Sequence, residues 1–102
     1  MGWKIIIAPS AQADLEDIVR YIAQHKSDAA ARMGYELITR AESVAAFPEI
    51  GRVVPEFRQP DLREVICRSY RVIYRLRRDE QRIDIVRFWH GARGFPHIPM
   101  GG

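Results

Sequence analysis

Residues 63–93, REVICRSYRVIYRLRRDEQRIDIVRFWHGAR, alternate apolar and cationic side chains over much of their length. A period of two sends successive side chains to opposite faces of a strand, so the stretch is suited to a sheet with two unlike faces. In the strand predicted over residues 70–77, Tyr70, Val72, Tyr74 and Leu76 share one face, and Arg71, Ile73, Arg75 and Arg77 share the other. Residues 62–67 supply the strand before it. Residues 83–89 supply the strand after it, across a hairpin loop at Arg78, Asp79, Glu80 and Gln81. That last strand is apolar on both faces, which predicts a central position or cover on both sides.

The rest of the chain packs this meander. Residues 3–8 form a β-branched run that Pro9 ends, a first strand. Ser10 is the predicted cap of a helix over residues 11–24, with Asp14, Glu16 and Asp17 suiting the helix dipole and Arg20 in reach of Glu16. Leu15, Ile18, Val19 and Ile22 form its apolar stripe. Ser27 and Asp28 cap a second helix whose stripe runs from Ala30 through Met33, Gly34, Leu37, Ile38, Ala41 and Val44 to Ala45, stopped by Phe47 and Pro48. Gly34 costs about 1 kcal/mol against alanine inside a helix, and a close approach of the two helices would offset it. Residues 48–60 are a proline-rich crossing loop with a turn at Gly51 and Arg52. The expected fold class is α+β: an N-terminal strand, a helical hairpin, then a three-stranded antiparallel meander in a curved sheet. Residues 1–93 form one domain, and residues 94–102 a flexible tail without periodic pattern.

Charge is uneven along the 102 residues. Residues 1–51 hold five basic and seven acidic groups, whereas residues 52–93 hold eleven arginines and six acids. Arginine outnumbers lysine 14 to 2, which favours bidentate contact with carboxylates and phosphates. No apolar run approaches the roughly 20 residues of a bilayer-spanning helix. The single Cys67 suits a reducing compartment as a small buried apolar group, so the expectation is a cytoplasmic protein without membrane contact. No Gly-rich phosphate loop, metal-ligand spacing or nucleophile elbow is present, and no cofactor or metal is expected. Arg71, Arg75 and Arg77 then have two readings, a solvated strand face or a surface for phosphate or protein carboxylate. His90 and Arg93 either shape a turn and an ion pair or take part in a site. Trp89 belongs to the core more than to a stacking platform, and Tyr21, Tyr35, Tyr70 and Tyr74 to its boundary.

The motifs follow a familiar order. Ala11, Asp14, Leu15, Ile18, Tyr21 and Ile22 make A-x-x-D-L-x-x-I-x-x-Y-I; residues 47–52 make F-P-x-x-G-R; residues 62–64 make L-R-E; residues 70–75 make Y-R-V-I-Y-R; residues 90–93 close with H-G-A-R. Over residues 3–93 this resembles the RelE/ParE superfamily of toxins from bacterial type II toxin–antitoxin modules. The resemblance implies a small α+β toxin, neutralised in a hetero-oligomer by a cognate antitoxin protein. RelE-like members cleave mRNA on the ribosome without metal, and that activity would fall to Arg71, His90 and Arg93. ParE-like members inhibit DNA gyrase. No tyrosine follows position 74, which sides with the ParE-like branch. Arg52, Arg63, Arg75, Arg77 and Arg87 would then face the antitoxin or the target. A non-toxic basic module that binds RNA or protein is the remaining alternative.

Overall fold

The computed structural model describes residues 2–99. Strand β1 (Lys4–Ile7) leads into helix α1 (Pro9–Ala23) and, after a short link, helix α2 (Ser27–Ser43). Strands β2 (Arg52–Val53), β3 (Leu62–Cys67), β4 (Tyr70–Arg77) and β5 (Arg82–His90) follow. The sheet order is β1-β5-β4-β3-β2, with β1 parallel to β5 and the other pairs antiparallel. This is the expected α+β arrangement, with the doubly apolar β5 in the interior of the sheet. No helix among the described residues is long and apolar enough to cross a membrane.

Several local expectations are corrected. Pro9 opens α1, where its missing N–H leaves no bond unmade, and Ala8 is the cap residue without a side-chain bond. Ser10 is therefore inside the helix, and its hydroxyl donates to the Val86 carbonyl at 2.6 Å. Asp14, Glu16 and Asp17 fall beyond the first turn, and Arg20 pairs with Asp17 at 3.0 Å instead of Glu16. Ser27 is the first residue of α2, whose cap residue Lys26 makes no side-chain cap bond. The turn expected at Gly51 and Arg52 instead starts a short strand, with Arg52 opposite Glu64 and Val53 opposite Arg63. Gly51 itself is dictated by proximity. Its N–H donates to Tyr74 Oη at 2.9 Å, and a Cβ there would lie 2.5 Å from the Glu64 carbonyl oxygen and 2.6 Å from Tyr74 Oη.

The two faces of the sheet are both packed. On the helix side, Val65, Val72, Tyr74, Leu76, Ile83, Ile85 and Phe88 meet Ala11, Leu37, Ala41 and Val44. Gly34 permits the close helix approach its cost called for, since a Cβ there would stand 3.2 Å from Val19 Cγ2. On the outer face a second cluster joins Val54, Leu62, Ile73, Val86 and Trp89, with Phe57 and Ile98 against it. A register shift between Ile73 and Tyr74 resolves the double apolarity of β5. The extra residue lets Ile85 and Phe88 reach the helix side while Val86 and Trp89 reach the outer side.

Helix α1 also completes the sheet. Strand β1 ends at Ile7, opposite Ile85, so the second half of β5 lacks a strand neighbour there. Ser10 takes the Val86 carbonyl, and Asp14 Oδ2 accepts the Phe88 N–H at 2.9 Å. Residues 94–99 have no helix or strand and lie back on the outer face, with Phe95 5.2 Å from Phe57 and His97 stacked 5.7 Å from Trp89. Residues 100–102 of the expected tail lie outside the described residues.

Candidate functional site

Arg71 is enclosed by its own chain. Its Nε donates to Glu64 Oε1 at 2.6 Å, and its Nη1 and Nη2 donate to the two oxygens of Glu56 at 2.9 and 2.7 Å. Arg52 Nε donates to the remaining oxygen of Glu64 at 2.6 Å. Strand pairing sets this up, because Ile66 lies opposite Arg71 and puts Glu64 one diagonal step away on the same face. Glu56 comes down from the loop between β2 and β3. The Glu64 side chain is fully buried and that of Arg71 is 11% exposed. The hydrogen bonds to Glu56, against the opposing effect of burial, and those to Glu64 raise the pKa of Arg71 above its ordinary value. Arg71 is thus neither solvated nor open to an external anion in this arrangement.

His90 and Arg93 lie apart from this network. Arg71 is opposite Trp89 and Tyr70 is opposite His90, so Trp89 shares the outer face with Arg71 while His90 shares the helix-side face with Tyr70. The His90 ring meets Tyr70 edge-on at 5.2 Å. The Ala92 N–H donates to His90 Nδ1 at 3.0 Å, which places the proton of the neutral ring on Nε2. The ring can donate from Nε2, but its one lone pair is taken, and a general base needs that lone pair free. Arg93 lies with its Cζ 3.8 Å from the Trp89 ring centroid, and Arg87 with its Cζ at 4.8 Å. Trp89 is a core residue with cations around it, as expected. A groove of about 370 Å³ runs along the helix side past Asp17, Tyr21, Tyr70 and His90, and Arg93 borders it as well.

The other arginines named from sequence are mostly spoken for. Arg87 gives a bidentate pair to Asp14 at 2.8 and 2.6 Å and a third bond to the His97 carbonyl at 2.9 Å. Arg63 donates to the Pro60 and Gly51 carbonyls, each at 3.0 Å, and lies 3.8 Å from Glu49. Arg77 Nε donates to Asp84 at 2.9 Å. Among the described residues, Arg75 reaches only Gln59 Oε1, at 3.4 Å. Burial pushes the Cys67 thiol pKa up, in keeping with an apolar role. The carboxylates that organise these cations, Asp14, Glu56 and Glu64, escaped the sequence reading. The signal was present for two of them. Asp14 lies within the apolar stripe at helical spacing from Ala11 and Ile18, and Glu64 alternates in phase with the buried Leu62.

A family model described as the ParE toxin of the type II toxin–antitoxin system, parDE, matches residues 5–95. Among solved structures, the chain is similar to a chain of the chromosomal ParDE system from P. aeruginosa, with a TM-score of 0.72 and 15% identity over 86% of this chain and 95% of that one. It is also similar to a chain of the toxin–antitoxin complex RelBE2 from Mycobacterium tuberculosis, with a TM-score of 0.67 and 16% identity over 88% of this chain and 99% of that one. No curated protein sequence matches. At these identities the structural likeness is one of fold, and the family match bears out the RelE/ParE resemblance carried by the motifs. The family match extends from β1 into the C-terminal segment, and the chain therefore belongs to the ParE toxin family of type II toxin–antitoxin systems.

Proposed function

We propose that this toxin arrests growth by binding DNA gyrase rather than by cutting RNA, and that a protein antitoxin holds it inactive in the cytoplasm. One observation carries the reading. The residues that a metal-free ribonuclease would draw on do not all converge: Arg71 is engaged by Glu56 and Glu64 on the outer face, while His90 and Arg93 border a groove with Tyr70 on the other side, where the Ala92 N–H occupies the His90 Nδ1 lone pair. Metal-free RNA cleavage needs cations and a base converging on one phosphate, within hydrogen-bond reach of the reacting atoms. Binding a large protein needs no such convergence. Arg52, Arg63 and Arg87 have their own anionic or carbonyl partners, so their role at a partner surface is that of shape as much as charge.

The test is induction without antitoxin. Growth arrest with a DNA-damage response and intact transcripts is expected, and it persists in His90→Ala and Arg93→Ala. Cleavage of translated mRNA that disappears in those variants would overturn the reading.

A further inference from the structure

The outer face ends, away from Trp89, in two cross-strand rows. One row is Lys4, Arg82 and Arg77; the other is Ile6, Asp84, Arg75 and Leu62. Asp84, only 4% exposed, accepts from Arg77 at 2.9 Å and from Arg82 at 2.9 and 3.2 Å, while Glu80 takes another Arg82 N–H at 2.8 Å. Among the described residues, Arg77 and Arg82 share Asp84 and Arg82 also reaches Glu80, while Lys4 and Arg75 stand in the same two rows with no carboxylate at ion-pair distance.

Arg75 is the unmatched member. Among the described residues, every other arginine on a strand has a carboxylate within ion-pair distance, and Arg75 has none. Its Nε is buried without a hydrogen-bond partner. Burial, and then the Arg77 guanidinium beside it, push its pKa down, whereas Arg71, Arg78 and Arg82 are pushed up. A buried donor left unmade is costly, and a turn of this half-buried side chain that carries Nε out to an arriving acceptor removes that cost. Ile6, in the same row, is 37% exposed.

We propose that this corner, formed by Lys4, Ile6, Arg75, Arg77 and Arg82, docks an acidic polypeptide segment, with one carboxylate on Arg75 and an apolar side chain on Ile6. Only the identity of that segment, as part of the antitoxin, rests on the function proposed above. A polypeptide suits the corner better than a nucleic acid. The unmet donor is single, an apolar group adjoins it, and buried Asp84 repels a run of closely spaced phosphates.

The experiment follows the arginine Nε–H resonances of the full ¹⁵N-labelled chain. It is titrated with a blocked peptide of alternating leucine and glutamate and, separately, with a uridine-only RNA oligonucleotide. The peptide shifts the Arg75 signal, and its binding weakens as salt screens the pair. Arg75→Lys keeps the charge, loses the Nε donor, and weakens binding by about tenfold. Lys4→Gln weakens it by about threefold, as for a screened surface charge. Arg75→Met, which removes the orphan donor, melts no lower than the parent and does not bind, separating docking from folding. RNA moving the Arg75 signal while the peptide does not would overturn the proposal, as would full binding by Arg75→Lys or no response to either ligand. Growth arrest does not enter this titration. Its absence would sink the gyrase reading alone, and a silent titration would leave that reading intact.

Discussion

Around Trp89, Arg52, Arg71 and Arg87 meet Glu56, Glu64 and Asp14, and Arg93 lies on the indole ring, under a loop and the C-terminal segment. Around Asp84, a short distance along the same face, Arg77 and Arg82 share Asp84 and Arg82 also reaches Glu80, while Lys4 and Arg75 have no carboxylate at ion-pair distance among the described residues. Both ends come from the same alternating strand β4. The first uses arginine as internal structure, because buried charge is tolerated when every donor has an acceptor. The second leaves the Arg75 Nε donor unmet among the described residues, the signature of a surface completed by something else. A high density of arginine is therefore not one property here, and counting cations over the sheet would have merged a core with an interface.

The sharpest way to break this contrast is to remove the central cation at each end. Arg71→Ala leaves the fully buried Glu64 without its main partner and should cost about 3–5 kcal/mol in urea denaturation. Arg75→Met should cost nothing or stabilise slightly, since it removes an unsatisfied donor. Similar losses at both sites would erase the distinction. The double variant Arg71→Met with Glu64→Leu should recover most of the stability, because it removes charge and partner together.

A second comparison sets Asp14 against Asp17 on the same helix. Asp14→Ala breaks the Arg87 pair and strands the Phe88 N–H, so about 3 kcal/mol should be lost. Asp17→Ala removes only an exposed pair with Arg20 and should stay within about 0.5 kcal/mol. Tyr74→Phe is smaller than the first of these, at about 1–2 kcal/mol. It deletes the hydroxyl that accepts from Gly51 and donates to the Pro48 carbonyl at 2.8 Å.

The gentlest test uses acid. The hydrogen bonds from Arg71 hold the Glu56 carboxyl below its ordinary value of 4.5. The folded protein binds that proton less readily than the unfolded chain. The contribution of Glu56 is thus fully present above the ordinary value and is lost as pH falls through the lower, folded one. Glu56→Gln should flatten that part of the acid limb of the stability curve. An unchanged limb would mean that the Glu56 contact is weak in solution.

Much of the fold was legible in the sequence. The period of two in β4 sorted Val72, Tyr74 and Leu76 from Arg71 and Ile73, and the helical stripes found the packing faces. Strand β2 was missed because two residues beside a glycine carry no periodicity. The start of α1 was misplaced because Pro9 suits the first helical turn, where its missing N–H costs nothing, and Ser10 then lies inside the helix and donates to the Val86 carbonyl. The site was less legible. Parity put Arg71 on the outer face but could not show that Ile73 and Trp89 make that face a second core.

By itself, then, the sequence determined the class of fold, the family resemblance and the concentration of arginine in the sheet half, because these depend on local pattern and composition. Only the tertiary structure decided which arginines are neutralised. The carboxylate that holds Arg87 is 73 residues away in Asp14, and the one that closes over Arg71 comes from a loop 15 residues upstream. Strand parity tells which face a charge occupies. It says nothing of which distant acid folds down upon it, and that choice separates a buried ion pair from an open docking corner.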